Sequence, residues 1–419
     1  MTTFYDALET RSREARQAAL MAALPQQILH AQQASPAFAG ILAGVDAAGV
    51  TSRAALARLP VTRKSELLAL QQQHRAPGGS GNVFGGFSAL AFGAAMPRVF
   101  ASPGTLYEPE GTRRDYWRVA RAMYAAGIRP GELVHNAFSY HFVPAGSMME
   151  SGAHALGCTV FPGGTGQTEQ QVQAIAELRP QAYAGTPSFL KIIVEKAASM
   201  GIPLPSMRRA LVSGEAFPPS LRDWLAERGI HAYQCYATAD LGLIAYETEA
   251  REGLVLDEGV IVEIVRPGTG DPVPEGEVGE LVVTTLNPDY PLIRFGTGDL
   301  SAVLPGTCPT GRTHTRIKGW MGRADQTTKV RGMFVHPGQI AEIVRRFPEV
   351  LKARLVVGGE MANDHMTLRL ESTSADPGLA DRVGEAVRDV TKLRGTIELA
   401  PPGSLPNDGK VIEDTRTYQ

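Results

Sequence analysis

Cys158-Thr-Val-Phe161, Ala182-Tyr-Ala-Gly185, Ala210-Leu-Val212 and Ile230-His-Ala-Tyr-Gln-Cys-Tyr236 are four short apolar runs, separated by the amphipathic stretches 168–178, 188–198 and 219–227. The runs have the length of buried strands and the stretches have the spacing of helices that cover them. Strand-helix units repeated in this way need right-handed crossovers, and so build a parallel sheet with helices on its faces. The fold class is α/β. Ligands of such sheets bind where loops leave the C-terminal ends of the strands, which directs attention to the residues after Val212 and after Tyr236.

Upstream, Leu20, Leu24, Ile28, Leu56, Leu59, Leu67, Leu68 and Leu70 recur at helical spacing and predict helices packed on this body. The uncharged stretch between Arg75 and Arg98 is broken by six glycines and reads as loop and strand, not as a spanning helix. Its Gly78–Gly86 run is not followed by a basic residue and reads as a connector. Downstream of residue 254, the segments 259–265, 279–285 and 291–304 predict strands around a turn-rich 267–276, which makes a small antiparallel β subdomain. From about Asp325 the order is strand, helix (339–347), strands (351–357 and 366–371), helix (379–391) and strand (396–399), a small α+β domain. The expected division is a large domain over 1–323 and a small C-terminal domain over 324–419.

Of 419 residues, 43% are hydrophobic and 20% charged, a composition that excludes a disordered chain. Forty-one basic against 43 acidic residues leave a net charge of -2, so there is no global field to recruit nucleic acid or an anionic membrane. Neither is expected as a partner. Three distant cysteines, Cys158, Cys235 and Cys308, form neither a disulfide framework nor a metal clip, and suit a reducing cytoplasm. Met1–Glu9, with Asp6 and Glu9, lacks the layout of a signal peptide. G-x-S-x-G, H-E-x-x-H, G-x-x-x-x-G-K-[ST] and G-x-G-x-x-G are all absent, which removes the usual marks of serine hydrolases, zincins, P-loop enzymes and Rossmann dehydrogenases.

Five segments occur in order: Val212-Ser-Gly-Glu-Ala216, Tyr236-Ala-Thr-Ala-Asp-Leu-Gly242, Tyr290-Pro-Leu-Ile-Arg-Phe-Gly-Thr-Gly-Asp299, Gly322-Arg-Ala-Asp-Gln-Thr-Thr-Lys-Val-Arg-Gly332 and Leu405-Pro-Asn-Asp-Gly-Lys410. Across essentially its whole length the chain resembles the adenylate-forming superfamily, most closely its phenylacetate-CoA ligase branch. That resemblance implies an enzyme that joins a small carboxylic acid to ATP, releases pyrophosphate, and passes the acyl group from AMP to coenzyme A. It also implies a mobile C-terminal domain; relatives are often dimers, and a homodimer stays an open assembly for this chain.

Site residues follow from the same resemblance. Gly214, Glu215, Ala216, Tyr236, Ala237 and Thr238 would meet the nucleotide, with Ser102, Gly104 and Thr105 from the phosphate loop. Asp299 would accept from the ribose hydroxyls, a task suited to an acceptor-only carboxylate. Arg323 would reach ribose or phosphate. Asp240 stands where relatives have glutamate and would hold Mg²⁺, a hard cation that takes oxygen ligands. Lys410 would be the adenylation lysine, and only eight of the 41 basic residues are lysine. Asp325 would be the hinge, and Lys329, Arg331 and Gly332 would line the path of coenzyme A. Tyr140, His141, Phe142, Ala145 and Gly146 would line the acid pocket, which suits an aryl or arylacetic acid.

Two departures stand out. The phosphate loop reads Ala101-Ser-Pro-Gly-Thr-Leu-Tyr-Glu-Pro109, with Glu108 or its neighbour where relatives carry lysine. Facing the phosphates, Glu108 would repel them, and Glu108→Lys would lower the KM for ATP, with Mg²⁺, Arg113 or Arg114 compensating in the native chain. The second departure is at Cys308-Pro-Thr-Gly-Arg312, where some relatives bind zinc: one thiolate does not make a tetrahedral site, and no zinc is expected. Two alternatives stay open: an adenylating enzyme with a carrier-protein thiol or amine as acceptor and, because of the altered loop, a nucleotide- or acyl-adenylate-binding protein without turnover.

Overall fold

The computed structural model describes residues 3–102, 105–321, 324, 328–331, 333–335, 337–360, 363–374, 376–406 and 410–416. The chain divides into two compact units, Met1–Gly322 and Arg323–Gln419.

The first unit is built on a nine-stranded sheet. Thr159–Phe161, Leu133–Asn136, Ala182–Gly185, Arg209–Val212 and His231–Thr238 lie side by side and parallel. The helices Thr168–Leu178, Pro187–Ser199 and Pro219–Ala226 make the crossovers. Pro187 and Pro219 occupy the first helical turn, where the missing N–H would have no partner anyway. Ala182, Tyr183, Ala184, Ala210, Leu211 and Val212 are fully buried, as parallel strands covered on both faces require. Beyond His231–Thr238 the sheet turns antiparallel through Gly242–Glu247 and Leu254–Leu256.

A second sheet has the order Thr62–Arg63, Phe295–Ser301, Gly279–Thr285, Val260–Val265. It is antiparallel except for Thr62–Arg63, which joins Phe295–Ser301 in parallel. The single strand expected over 291–304 is two strands in different sheets. Phe295–Ser301 belongs here, while Val303–Leu304 pairs with Arg316–Ile317 at the edge of the larger sheet. Its start is displaced because Arg294 turns the chain at φ 45°, with its guanidinium buried against Glu263 at 3.0 Å and donating to Gly270 O at 2.7 Å. Leu20, Leu24, Ile28, Leu56, Leu59 and Leu67 fill one core with Ile261, Leu281 and Phe295, so the N-terminal helices pack as their spacing predicts.

The N-terminal segment is fastened by buried charge. Glu9 accepts from Tyr246 OH at 2.7 Å and Arg312 Nε at 2.8 Å, and Glu258 pairs with Arg16 at 3.0 Å. His314 lies in this region, 4% exposed, its Nδ1 accepting from Thr315 N at 2.7 Å. Burial, with Arg16, Arg53, Arg11 and Arg121 around it, holds its imidazole well below the usual histidine range. The unfolded chain therefore takes up a proton near pH ~6.5 that the folded chain refuses, so stability present above that pH is lost as pH falls. Thermal melts at pH 8 and 5.5 should show the wild type losing up to about 1.4 kcal/mol per pH unit more than His314→Leu. A difference between the two proteins that does not change with pH contradicts this.

The second unit has a sheet ordered Thr396–Ala400, Asn363–Ser372, Val350–Glu360, Ile412–Asp414, with helices Pro337–Arg345 and Leu379–Thr391. Leu379, Val383 and Val387 recur every four residues and are buried against Leu355, Leu368 and Leu370. Thr328–Val330 and Met333–Val335 form a short hairpin.

Candidate active site

The loop after Arg209–Val212 is tied to the next strand by Ser213 Oγ, which donates to Cys235 O at 2.8 Å. Gly214 follows at φ 85°, a left-handed conformation that glycine adopts without strain. Gly214 and Glu215 are exposed, and Ala216 is half-buried. Glu215 Oε1 accepts from Ser188 N at 2.7 Å, at the N-terminus of Pro187–Ser199, where unpaired N–H groups favour an anion. One carboxylate thus braces two of the loops at the C-terminal edge of the sheet.

Tyr236, Ala237 and Thr238 end the neighbouring strand, half-buried, with a bulge between Tyr236 and Ala237. Tyr236 OH donates to Asp299 Oδ2 at 2.6 Å, which joins the middle strand of the larger sheet to the second sheet. Trp320 Nε1 donates to the other oxygen, Oδ1, at 3.0 Å. Asp299 is 8% exposed, and these two donors fix the plane of its carboxylate. A carboxylate oxygen can accept from two donors.

Asp240 lies in the turn after Thr238, 4% exposed, and pairs with Lys64 Nζ at 3.0 Å through Oδ2. The segment that the resemblance reads as the phosphate loop lies on the hairpin of Arg98–Ser102 and Leu106–Glu110. Here the structure corrects the expectation for Glu108, which is fully buried and accepts from Ser102 Oγ at 3.0 Å. Alternation along the strand turns Glu108 inward, away from solvent. Burial and the adjacent Asp240 push its carboxyl well above the usual range, against the opposing pull of Lys64. Repulsion of phosphate by an exposed Glu108, and the gain expected from Glu108→Lys, lose their basis. Arg113 and Arg114 are engaged elsewhere, Arg113 with Asp289 and Asn287 and Arg114 with Ala155 O. Ser102 is likewise buried and bonded inward, while Thr105, at φ 60°, is exposed at the hairpin tip.

At the third strand end, Asn136 Nδ2 donates to Tyr140 OH at 2.7 Å and to Gly146 O at 2.8 Å, and Tyr140 OH donates to Glu150 Oε2 at 2.8 Å. Gly146 lets the Tyr140 ring approach: a Cβ there would sit 2.8 Å from Tyr140 Cγ. Ala145 is half-buried, His141 is exposed, and Phe142 is 81% exposed at φ 61°. Ala101 N donates to Phe142 O at 2.8 Å, so this loop rests on the hairpin of Arg98–Ser102 and Leu106–Glu110.

In the second unit, Lys329 lies in Thr328–Val330 and Lys410 is exposed just before Ile412–Asp414. Arg331 caps the hairpin turn, its N donating to Asp364 Oδ2 at 3.0 Å. Gly104, Arg323, Asp325 and Gly332 lie outside the described residues. Lys64, Trp320 and Asn136 were not legible as site residues from the sequence. Lys64 had one signal, since it too is among the eight lysines.

Asp240 suits a hard divalent cation by the chemistry of its oxygens: Oδ2 pairs with Lys64, and the buried Oδ1 belongs to a carboxylate that lies beside the Glu108 carboxyl. Cys308 Sγ, by contrast, has hydroxyl neighbours, Thr310 Oγ1 at 3.1 Å and Thr248 Oγ1 at 3.7 Å. Among the described residues no group of three or more His, Cys, Asp or Glu is placed to hold a metal, and no helix is long and apolar enough to cross a membrane.

A parallel sheet whose loops gather at its C-terminal edge is the architecture in which α/β proteins bind their ligands. The family model for AMP-binding enzymes matches residues 114–287. Phenylacetate-coenzyme A ligase of Thermus thermophilus is 31% identical over 95% of this chain and 95% of its own. That of Aromatoleum evansii is 31% identical over 87% of this chain and 83% of its own. The chain belongs to the phenylacetate-CoA ligase family. In structure it is similar to 2-hydroxyisobutyryl-CoA ligase in complex with 2-HIB-AMP and CoA, with a TM-score of 0.85, 24% identity, and coverage of 100% of this chain and 93% of the other.

Proposed function

We propose that the protein is an ATP-dependent carboxylic acid-CoA ligase acting on an aryl or arylacetic acid. Family membership over 95% of the chain carries this reading. The acid carboxylate attacks the α-phosphorus of ATP and the bond to pyrophosphate breaks, giving an acyl-adenylate. The thiol of coenzyme A then attacks the acyl carbon, and the C–O bond to AMP breaks.

Residues 1–323 form the nucleotide-binding domain and 324–419 the C-terminal domain of this proposal. Gly214, Glu215 and Ala216, with Tyr236, Ala237 and Thr238, flank the nucleotide, and Asp299 accepts from the ribose. The half-buried Tyr140 ring and the small Ala145 and Gly146 suit a flat acid. Lys410 acts in adenylation, and Lys329 and Arg331 face coenzyme A. Localisation is cytoplasmic, and the homodimer seen in many relatives is the assembly to test by light scattering.

Asp240 would hold Mg²⁺, which supplies charge neutralisation to the phosphate oxygens. Pyrophosphate release, assayed over a panel of aryl and arylacetic acids, tests the function, and at least one acid should give release that consumes coenzyme A. Release without coenzyme A consumption would favour a different acceptor, and no release with any acid would favour a binding protein. The same assay in EDTA should lose activity and regain it with Mg²⁺, while elemental analysis should find no stoichiometric zinc. Full activity in EDTA, or one zinc per chain, contradicts the metal assignment.

A further inference from the structure

The polar groups around Tyr140 form a chain of hydrogen bonds with a fixed direction. Asn136 is fully buried and its Oδ1 accepts from Phe138 N at 3.3 Å, so the amide nitrogen is the end that faces Tyr140. That nitrogen donates to Tyr140 OH at 2.7 Å and to Gly146 O at 2.8 Å, which uses both of its protons. The Tyr140 oxygen is therefore an acceptor toward Asn136, and its own proton goes on to Glu150 Oε2 at 2.8 Å. The chain ends on a group that only accepts.

Gly146 and Glu150 are four residues apart in Ala145–Leu156 and share a face of that helix. A Cβ at Gly146 would meet the Tyr140 ring, and Glu150 receives the Tyr140 hydroxyl, so the whole Tyr140 side chain runs along this face. Glu150 thus extends the wall that Tyr140, Ala145 and Gly146 begin, and it is half-buried there. Arg98, whose charge is felt at Tyr140, is taken by the buried Glu110, with Nη1 at 3.2 and 3.1 Å from its two oxygens. Among the described residues Glu150 accepts at Oε2, and Oε1 receives no donor. A plain ring edge set against this carboxylate would strip its water and return no hydrogen bond, whereas an O–H or N–H would restore one.

We propose that Glu150 selects the acid: the substrate is an aryl or arylacetic acid whose ring carries a hydrogen-bond donor, a hydroxyl or amino group, which Glu150 Oε1 accepts. The inference rests on the ligase reading above and on its acid pocket.

The test is pyrophosphate release by the full chain, comparing phenylacetic acids that carry a hydroxyl or amino group at each ring position with the methyl-substituted acids of the same shape. In the wild type, kcat/KM should favour at least one donor-bearing acid over its methyl counterpart by about 10- to 150-fold, the range for a hydrogen bond to a charged group. Glu150→Leu should bring that pair within about threefold of each other, through loss with the donor-bearing acid and not with the methyl acid. Glu150→Gln, which keeps an acceptor for Tyr140 and guards against loss of folding, should retain a preference of about 2- to 10-fold, the range for a neutral hydrogen bond. A purely structural Glu150 would lower turnover of both acids alike and leave their ratio unchanged. That result, or a wild type that uses the methyl acid as well as every donor-bearing one, overturns the assignment of Glu150 while leaving the ligase reading in place. A wild type that releases pyrophosphate with no acid overturns both.

Discussion

Lys410→Ala is expected to cut acid-dependent adenylate formation by about 10²- to 10³-fold while leaving conversion of a supplied acyl-adenylate to the thioester near the wild-type rate. The reason lies in where charge develops. At the α-phosphorus, attack by the carboxylate builds negative charge on the oxygens before pyrophosphate departs, and a preorganised ammonium is worth most at that point. In the second half-reaction the charge develops on the acyl carbonyl oxygen and departs with AMP, so the same ammonium has less to stabilise. Lys410 is exposed and is one of eight lysines in a chain that uses 33 arginines. Single-turnover measurement of the two half-reactions separates the alternatives. Equal damage to both would mean that one fixed site serves the whole cycle and that Lys410 is not specific to adenylation.

Asp299→Ala should weaken AMP binding by about 10- to 150-fold, since a carboxylate accepting from neutral hydroxyls makes charge-assisted bonds of about 1.5–3 kcal/mol. A second effect adds to the first. The substitution leaves Tyr236 OH and Trp320 Nε1 without the acceptors they reach at 2.6 and 3.0 Å, so the carboxylate no longer orders the seam between the two sheets. Asp299→Asn separates the effects, because its amide keeps one acceptor oxygen but presents an N–H₂ where a donor already points. Its AMP affinity should fall between those of Asp299→Ala and wild type, measured by calorimetry alongside a thermal melt. If Asp299→Ala binds AMP as wild type does, the ribose is held elsewhere.

Much of the fold was legible because local sequence and tertiary packing agree. The strand Ala182–Gly185 and the helices 168–178 and 379–391 have the limits their periodicity predicts, since each buries an apolar face matched to its own repeat. The segment 291–304 was not legible as two strands. Its division depends on the buried Arg294 turn and on a change of sheet near Ala302, both made by partners far away in sequence. The site shows the same contrast. Gly214, Tyr236 and Asp299 could be marked from motifs, but the direction of Glu108 depends on strand phase and on Asp240 more than 100 residues later. Lys64 was invisible for a related reason: its partner Asp240 lies far away in sequence, in a turn of the larger sheet.

The acyl-adenylate is the central claim, and the fate of carboxylate oxygen tests it most directly. With an acid that the enzyme accepts, doubly labelled with ¹⁸O in its carboxylate, the reaction is run to completion with ATP and coenzyme A, and the products are weighed by mass spectrometry. One ¹⁸O should appear in each AMP and one should remain in each thioester, because the attacking oxygen stays on phosphorus when the thiol breaks the C–O bond. Label in inorganic phosphate with formation of ADP, or AMP without label, would contradict the account.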